Sequence, residues 1–285
     1  VVVLPEKPRV GGSEGPPCGQ LGYDEELAAH RASLHALAAL PDIDPDSLFL
    51  FGGSMGGTMA PLLAAEQDRA SPARTPSPHV RGVVVWGTTT HGWGEHLVRL
   101  DRRVLEGAVA SSRATAPADS VTRWMAAQLR LHASWTDVDS SRFPMRPALP
   151  DAAMRAAWAR QLGADTAAMT LYGRSLRFHR EAARADWEAA WARLTRAGVR
   201  VAVLRGACDA LMTDDEHARI ATIARAAGAR DVTYRSVDHT THGFMAVRGC
   251  AGRVVRPAAP SYDGRATAAL LEAIARMRGL GAAGR

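Results

Sequence analysis

One serine in this chain has the neighbours that an attacking hydroxyl needs. Ser54 lies in Gly52-Gly-Ser-Met-Gly-Gly57, after the apolar residues 48–51 and before the small, helix-forming residues 59–65. A strand that turns sharply into a helix here presents the hydroxyl above the strand end, and the glycines on either side let the two backbones pass too closely for a Cβ. The pattern predicts a nucleophile elbow with Ser54 as the nucleophile.

The same spacing occurs a second time near the start of the chain. In Gly11-Gly-Ser-Glu-Gly15, Ser13 takes the serine position, and Pro16 and Pro17 follow directly. Two consecutive prolines favour a loop and not the first turn of a helix. We therefore predict that Ser13 is a turn residue.

A serine hydroxyl needs a base to take its proton and an acid to orient that base. Residues 199–204 alternate and are rich in valine, which predicts a strand, and Asp209 follows in the loop after it. Asp214 and Asp215 compete for the acid role. The segment that begins at Thr213 favours the capped first turn of a helix, so Asp209 is the preferred acid.

Two histidines follow the next predicted strand. Residues 231–237 alternate between apolar and polar, and His239 and His242 come directly afterwards. Gly243 gives His242 room to swing towards the serine, which favours His242 as the base. His239 lies nearer the strand end and is the alternative, as a loop or supporting residue.

With these residues the chain resembles the α/β-hydrolase superfamily, in particular its serine-aminopeptidase-like and prolyl-oligopeptidase-like hydrolases. Besides the serine turn, the matching segments are Val10 to Pro17, Asp44-Pro45-Asp46, residues 80–87, Gly206 with Asp209, and His242-Gly243-Phe244. The resemblance implies a mostly parallel α/β sheet flanked by helices and the chain order serine, acid, histidine. It implies Ser54 as nucleophile, Asp209 as acid and His242 as base. It also implies the Met55 backbone N–H as an oxyanion donor.

One part of the family pattern has no counterpart here. The second oxyanion donor of the family comes from a loop after strand three, which precedes the Gly-x-Gly-x-Ser loop. That loop is matched already at Val10, so strand three has no place after Val1. We expect the N-terminal strands to be missing and the chain to be a fragment of a longer hydrolase.

A long segment between two predicted strands is expected to form a helical cap. Residues 92–191 are too many for an ordinary crossover and hold six of the seven tryptophans. The α/β core is then expected over residues 1–91 and 192–285. Helical patterns cover residues 97–109, 120–133, 151–162, 166–178 and 181–197.

Three residues near the start of this segment are candidates for the rim of a substrate pocket. Thr88, His91 and Trp93 come directly after a predicted strand end, where substrate pockets of α/β proteins form. The tryptophans of the cap are expected mainly in its own core, because aromatic residues commonly fill the contacts between helices.

Composition excludes several other classes of function. The net charge of +6 comes almost entirely from scattered arginines, without a basic run or a nucleic-acid module, so no nucleic-acid partner is expected. No apolar run reaches the length of a membrane span. Three cysteines are too few and too scattered for a disulfide framework or a metal site, although one pair could bridge in an exported protein. No metal or cofactor is expected.

The predicted reaction is hydrolysis of an ester through an acyl-enzyme, with peptide or amide bonds as the open alternative substrate. An acyltransferase that uses the same three residues is a second interpretation, and a non-catalytic binding protein of the same fold is a third. The partner is expected to be a small ester or peptide. The oligomeric state and the location in the cell stay open: we expect a soluble protein, and any N-terminal targeting signal would lie before Val1.

Overall fold

The computed structural model describes residues 1–66, 78–100, 103, 170–250 and 261–279. The chain divides into two compact units. The first comprises Val1–Ser33 and Gly92–Ala185, and the second comprises Leu34–His91 and Asp186–Arg285. The prediction of a cap over residues 92–191 falls largely outside the described residues and stays a prediction, as does that of missing N-terminal strands.

The described residues form six strands and six α-helices with both ends described. The strands are β1 (Leu48–Gly53), β2 (Val80–Trp86), β3 (Thr170–Leu171), β4 (Arg174–Ser175), β5 (Arg200–Gly206) and β6 (Val232–Val237). The α-helices with both ends described are α1 (Tyr23–Ala38), α2 (Gly56–Ala65), α3 (Leu176–Arg184), α4 (Trp187–Arg196), α5 (Asp214–Ala226) and α6 (Gly264–Met277). None of these helices has the length and apolar character needed to cross a membrane. Among these elements, β3, β4 and α3 belong to the first unit.

Four strands of the second unit form a parallel sheet in the order β1-β2-β5-β6. In the register, Gly53 of β1 lies opposite Trp86 of β2, and Trp86 lies opposite Leu204 of β5. Gly206 of β5 lies opposite Val237 of β6. Because all pairs are parallel, the carboxyl ends of the four strands lie at one edge, where the loops with the candidate residues begin.

Helices cover both faces of the parallel sheet. On one face, Val83 and Val85 of β2 pack against α2, α4 and α5. On the other face, Val84 and Trp86 pack against α6. A strand that is buried on both sides needs a continuous apolar sequence, and β2 supplies it with three valines and a tryptophan in succession.

The start of α5 follows the sequence prediction. Thr213 and Glu216 form a capping box, in which each side chain satisfies a backbone N–H of the first turn. The predicted capped turn after Thr213 is therefore confirmed. It removes Asp214 and Asp215 from the loop that carries Asp209.

Two helix predictions in the first unit and at its boundary are wrong in part. The predicted helix 166–178 contains an antiparallel hairpin of β3 and β4, because Tyr172 and Gly173 both have positive φ and form a tight turn. Ser175 then caps α3 by accepting a hydrogen bond from the Phe178 N–H. The predicted helix 181–197 is interrupted, because the Asp186 side chain caps a new helix, α4.

Of the remaining helix predictions, only the one at residues 97–109 overlaps the described residues. The segment predicted as 97–109 is already helical over residues 93–100. The helices predicted at 120–133 and 151–162 lie outside the described residues.

Candidate active site

Ser54 occupies a sharp turn between β1 and α2, so the predicted strand–turn–helix is confirmed. Its φ is +51°, in the left-handed region that a residue with a Cβ rarely adopts. The Ser54 N–H donates to the Trp86 carbonyl oxygen at 2.8 Å, and its carbonyl oxygen accepts from the Gly57 N–H at 2.9 Å. The turn is thus tied to the end of β2 on one side and to the first turn of α2 on the other. Strain held by its surroundings is common where a side chain is presented for chemistry.

The glycines around the serine are not equivalent. A Cβ on Gly52 would lie 2.3 Å from the Gly56 carbonyl oxygen, so here the strand and the helix do pass too closely for a side chain. At Gly56 a Cβ would meet no atom within 4 Å, and the prediction that it is needed for close approach is wrong. The second crowded position is Gly57, where a Cβ would lie 2.5 Å from the Thr88 Cβ.

His242 and Asp209 form a hydrogen-bonded pair at the same edge of the sheet. His242 Nδ1 lies 2.9 Å from Asp209 Oδ2, and the Asp209 side chain is fully buried. The other carboxylate oxygen, Oδ1, accepts the backbone N–H groups of Leu211 at 2.8 Å and Met212 at 2.9 Å. When the carboxylate is ionised it can only accept, so this hydrogen bond then requires the proton on Nδ1, and a neutral imidazole has its lone pair on Nε2.

The alternative acids, Asp214 and Asp215, and the alternative base, His239, form no hydrogen bond to the His242–Asp209 pair among the described residues. Asp214 is exposed and pairs with Arg205 at 3.2 Å, and Asp215 contacts the Thr213 hydroxyl. His239 is an exposed residue with φ of +54° whose carbonyl oxygen accepts the Val247 N–H. Of the two histidines, His242 is the one whose imidazole is bonded to Asp209.

The end of β2 brings the serine turn and the imidazole–carboxylate pair together. The Trp86 carbonyl oxygen accepts the Ser54 N–H. The Trp86 indole N–H donates to the His242 carbonyl oxygen at 2.9 Å. The next residue, Gly87, has φ of +58°, and a Cβ there would lie 2.7 Å from His242 Nδ1 and 3.1 Å from Asp209 Oδ2. The Ser54 side chain is half-buried, and its hydroxyl forms no hydrogen bond to another described residue.

Met55, the predicted oxyanion donor, begins the turn that leads into α2. It is the N-cap residue of that helix and has helical φ and ψ. Within the described ranges its backbone N–H has no protein acceptor. An N–H at the amino-terminal end of a helix points along the positive end of the helix dipole, which favours an anionic oxygen there.

The three candidate pocket residues have different surroundings. Thr88 is completely buried, and its backbone N–H donates to His217 Nε2 at 3.1 Å. His91 is half-buried, and its N–H donates to the Thr89 hydroxyl at 3.1 Å. Thr88 and His91 belong to the same compact unit as Ser54.

Trp93 belongs to the other unit and is buried there. Its indole N–H donates to His179 Nδ1 at 3.0 Å, and its ring meets Phe178 edge to face. These contacts make Trp93 part of the core of the first unit.

Sequence reasoning did not single out His217, which supports the loop after β2. This side chain is completely buried, accepts from the Thr88 N–H through Nε2, and bonds the Thr213 carbonyl oxygen through Nδ1 at 2.7 Å. Burial lowers the pKa of His217, against the raising effects of the Thr213 carbonyl and the Asp209 and Glu216 carboxylates. The sequence around a helical histidine does not show whether its side chain is buried or exposed, so His217 could not be recognised from its neighbours.

A disulfide closes the segment that carries the acid and the base. Cys208 and Cys250 are bonded, with their Cα atoms 4.8 Å apart, and Cys18 is the free thiol. The pairing of two cysteines, left open by the sequence, is therefore observed. Both Asp209 and His242 lie inside the closed loop. Across the described residues, no three histidine, cysteine or acidic side chains are grouped so that they could hold a metal ion.

Comparisons with known proteins give matches among solved structures alone. No protein-family model matches the chain, and no curated protein matches it significantly. The α/β-hydrolase GrgF from a Penicillium species is 10% identical, with 95% of this chain and 77% of that chain covered and a TM-score of 0.46. A lipase in its open form is 17% identical, with 91% and 74% covered and a TM-score of 0.46. A putative non-heme bromoperoxidase from Mycobacterium tuberculosis is 17% identical, with 94% and 78% covered and a TM-score of 0.43.

The fold class expected from the sequence is confirmed by the arrangement of the described elements. A parallel sheet has helices on both faces, and the strand–turn–helix at Ser54 stands at its carboxyl edge. The loops after β5 and β6 carry Asp209 and His242 in the order serine, acid, histidine. This is the α/β-hydrolase arrangement.

Proposed function

We propose that the protein is a serine hydrolase that cleaves carboxylic esters, with Ser54 as nucleophile, His242 as base and Asp209 as the acid that orients it. The observation that carries this proposal is the left-handed Ser54 turn, bonded to the end of β2 beside the His242–Asp209 pair. A turn with a strained serine next to an oriented imidazole is an arrangement that activates a hydroxyl.

The proposed reaction proceeds in two half-reactions. Ser54 Oγ attacks the ester carbonyl carbon while His242 Nε2 takes the hydroxyl proton, and Asp209 stabilises the imidazolium that forms. The Met55 N–H donates to the oxygen that becomes negative. Collapse of this intermediate breaks the bond to the leaving alcohol, which receives the proton from His242. Water then attacks the acyl-enzyme by the same route and releases the acid.

The hydrogen bonds of Asp209 favour this division of roles. The two backbone N–H groups on Oδ1 hold the carboxylate in one orientation, so that Oδ2 faces the imidazole. A carboxylate that is fixed in this way keeps the proton of the neutral imidazole on Nδ1 and leaves Nε2 free to act as base. The chemistry is the same for esters and amides, but an alcohol leaves more readily than an amine, and we therefore propose esters as the substrates.

The chain supplies a matched pair of serines for the test. Ser54 and Ser13 both stand in a Gly-x-Ser-x-Gly sequence, but the Ser13 N–H closes a turn to the Val10 carbonyl oxygen and no helix follows it directly. We expect the wild type and Ser13→Ala to hydrolyse p-nitrophenyl esters at similar rates and Ser54→Ala to lose this activity. Ester hydrolysis that survives in Ser54→Ala would refute the assignment of the nucleophile. The same assay with an added alcohol or amine reports any transfer of the acyl group.

A further inference from the structure

We infer that Trp86 is a positioning residue that holds the His242 loop in register with the Ser54 turn. The inference rests on the proposed function, because it assigns Trp86 a role in aligning the proposed nucleophile and base. Trp86 is the last residue of β2, and only 1% of its surface is exposed.

The backbone of Trp86 fixes the serine side of the site. Its carbonyl oxygen accepts the Ser54 N–H at 2.8 Å, directly after the register pair of Gly53 and Trp86. The sheet ladder thus continues by one hydrogen bond into the strained turn. A substitution of the Trp86 side chain leaves this bond in place.

The side chain of Trp86 fixes the histidine side. Its indole N–H donates to the His242 carbonyl oxygen at 2.9 Å. Its ring stacks on Phe244, with centroids 4.5 Å apart and planes inclined by 20°. Phe244 has φ of +61°, a strained conformation that its surroundings must impose. The tryptophan therefore holds the loop at two points, on either side of Gly243.

The alignment of His242 depends on its backbone as well as on Asp209. The carboxylate holds one ring nitrogen, but the direction of Nε2 also follows from where the loop places the His242 Cα. The site has little free space, since a Cβ on Gly87 would lie 2.7 Å from His242 Nδ1. A displacement of about 1 Å in a reacting group can reduce a rate by a factor on the order of 10².

A second buried tryptophan in the same unit provides the matched control. Trp191 is completely buried and packs in the apolar cluster on the opposite face of the sheet. Its indole N–H has no acceptor among the described residues. Trp86→Phe and Trp191→Phe remove the same atoms from a buried site, but only the first removes a hydrogen bond to the His242 loop.

The test compares kcat and KM of both variants for a p-nitrophenyl ester, together with their thermal unfolding. Trp86→Phe is expected to lower kcat by about 10- to 100-fold and to leave KM within about 2-fold, because alignment of the reacting groups changes and not ground-state binding. Trp191→Phe is expected to keep kcat near the wild-type value even where its unfolding temperature falls equally. Equal kcat values in the two variants would overturn the inference.

Two further measurements keep the test decisive. If Trp86→Phe does not fold, Phe244→Leu removes the stacking contact and keeps the indole bond; we expect a lower kcat at similar KM, and an unchanged kcat would overturn the inference.

The proton NMR signal of His242 Nδ1–H reports alignment without any turnover. It should move upfield and broaden in Trp86→Phe but not in Trp191→Phe, and an unmoved signal counts against positioning. A wild type without esterase activity but with this shift would refute the proposed function alone.

Discussion

At the scale of single residues, the site depends on where each side chain receives its hydrogen bonds. Asp209 is held by two backbone N–H groups and by His242, whereas the rival carboxylate Asp214 pairs with Arg205. Around Ser54, a side chain would clash with neighbouring atoms at Gly52 and Gly57 but not at Gly56. Both features lead to predictions in which a neighbouring residue of the same type serves as the control.

Asp209→Asn is expected to lower kcat by a factor on the order of 10⁴, because an amide can present its NH₂ to Nδ1 and favour the wrong imidazole tautomer. Asp214→Asn makes the same conservative substitution at an exposed residue and should leave kcat within a few-fold of the wild-type value. Steady-state kinetics on a p-nitrophenyl ester distinguish the two variants. Comparable losses would mean that Asp209 is not the orienting acid.

Gly52→Ala and Gly56→Ala should change stability in opposite directions. The new Cβ at position 52 would lie 2.3 Å from the Gly56 carbonyl oxygen, and such overpacking costs about 1–3 kcal/mol. At position 56 it meets no atom within 4 Å, and alanine at a backbone position that tolerates it stabilises a protein by about 0.4–1 kcal/mol, because it reduces the conformational entropy of the unfolded chain. The free energy of unfolding in urea measures both changes. A stable Gly52→Ala variant would contradict the close approach of β1 and α2.

At the scale of elements, the loops after the strands are held by contacts that are distant in sequence. Trp86 and His242 are 156 positions apart, and Thr88 and His217 are 129 positions apart. The sequence predicted β1, β2, β5 and β6 and the capped start of α5. Apolar runs or alternation along the sequence indicate the strands, and the capping residues within one helical turn indicate the start of α5. The sequence did not predict the contacts of Trp86 and His217, because a partner at such a distance in sequence leaves no trace in a local pattern. The hairpin at residues 170–175 was missed because only its two-residue turn distinguishes it from the helix that follows.

The buried His217 predicts how stability varies with pH. Burial lowers its pKa below the ordinary value of 6.5, so the unfolded chain takes up the proton first as the pH falls. The contribution of this residue to stability is therefore complete above pH 6.5 and decreases as the pH falls towards its lowered pKa. His217→Gln should reduce the loss of unfolding free energy between neutral and mildly acidic pH.

The exposed His239 is the control for this measurement. His239→Gln should retain the wild-type pH dependence, because His239 is exposed and its replacement leaves the buried contacts of His217 unchanged. If His217→Gln loses as much stability on acidification as the wild type does, then another group governs the pH dependence. His30 is the next candidate, since burial also lowers its pKa.

The disulfide links the loops after β5 and β6 and should contribute to both stability and activity. Cys208 and Cys250 are 42 positions apart, and closing a loop of that size is worth about 4 kcal/mol in the chain-entropy description. The double variant Cys208→Ser/Cys250→Ser should lower the unfolding temperature and the esterase rate, as should reduction of the wild type. Cys18→Ser removes the free thiol and should change neither. A reduced protein with full stability and activity would exclude this role.

At the scale of the whole molecule, one compact unit contains every residue proposed to take part in bond making. Ser54 belongs to the segment Leu34–His91, and Asp209 and His242 belong to the segment Asp186–Arg285. The sequence order of the three candidate residues predicted that their loops lie at one edge of the sheet, because parallel strands bring successive loops to one edge. Both His239 and His242 follow the same strand; the sequence favoured His242 through Gly243, and the hydrogen bond from His242 to Asp209 supports that choice.

The central claim is that Ser54 is the nucleophile, and the most direct test is to find where an active-site phosphonate becomes bonded. The protein is treated with a fluorophosphonate, digested and examined by mass spectrometry, with Asp209→Asn as a variant in which the hydroxyl remains but its activation is lost. We predict a single adduct on the peptide that contains Ser54 in the wild type and much slower labelling in Asp209→Asn. An adduct on Ser13 or any other residue, or equal labelling rates in the two proteins, would contradict the proposed mechanism.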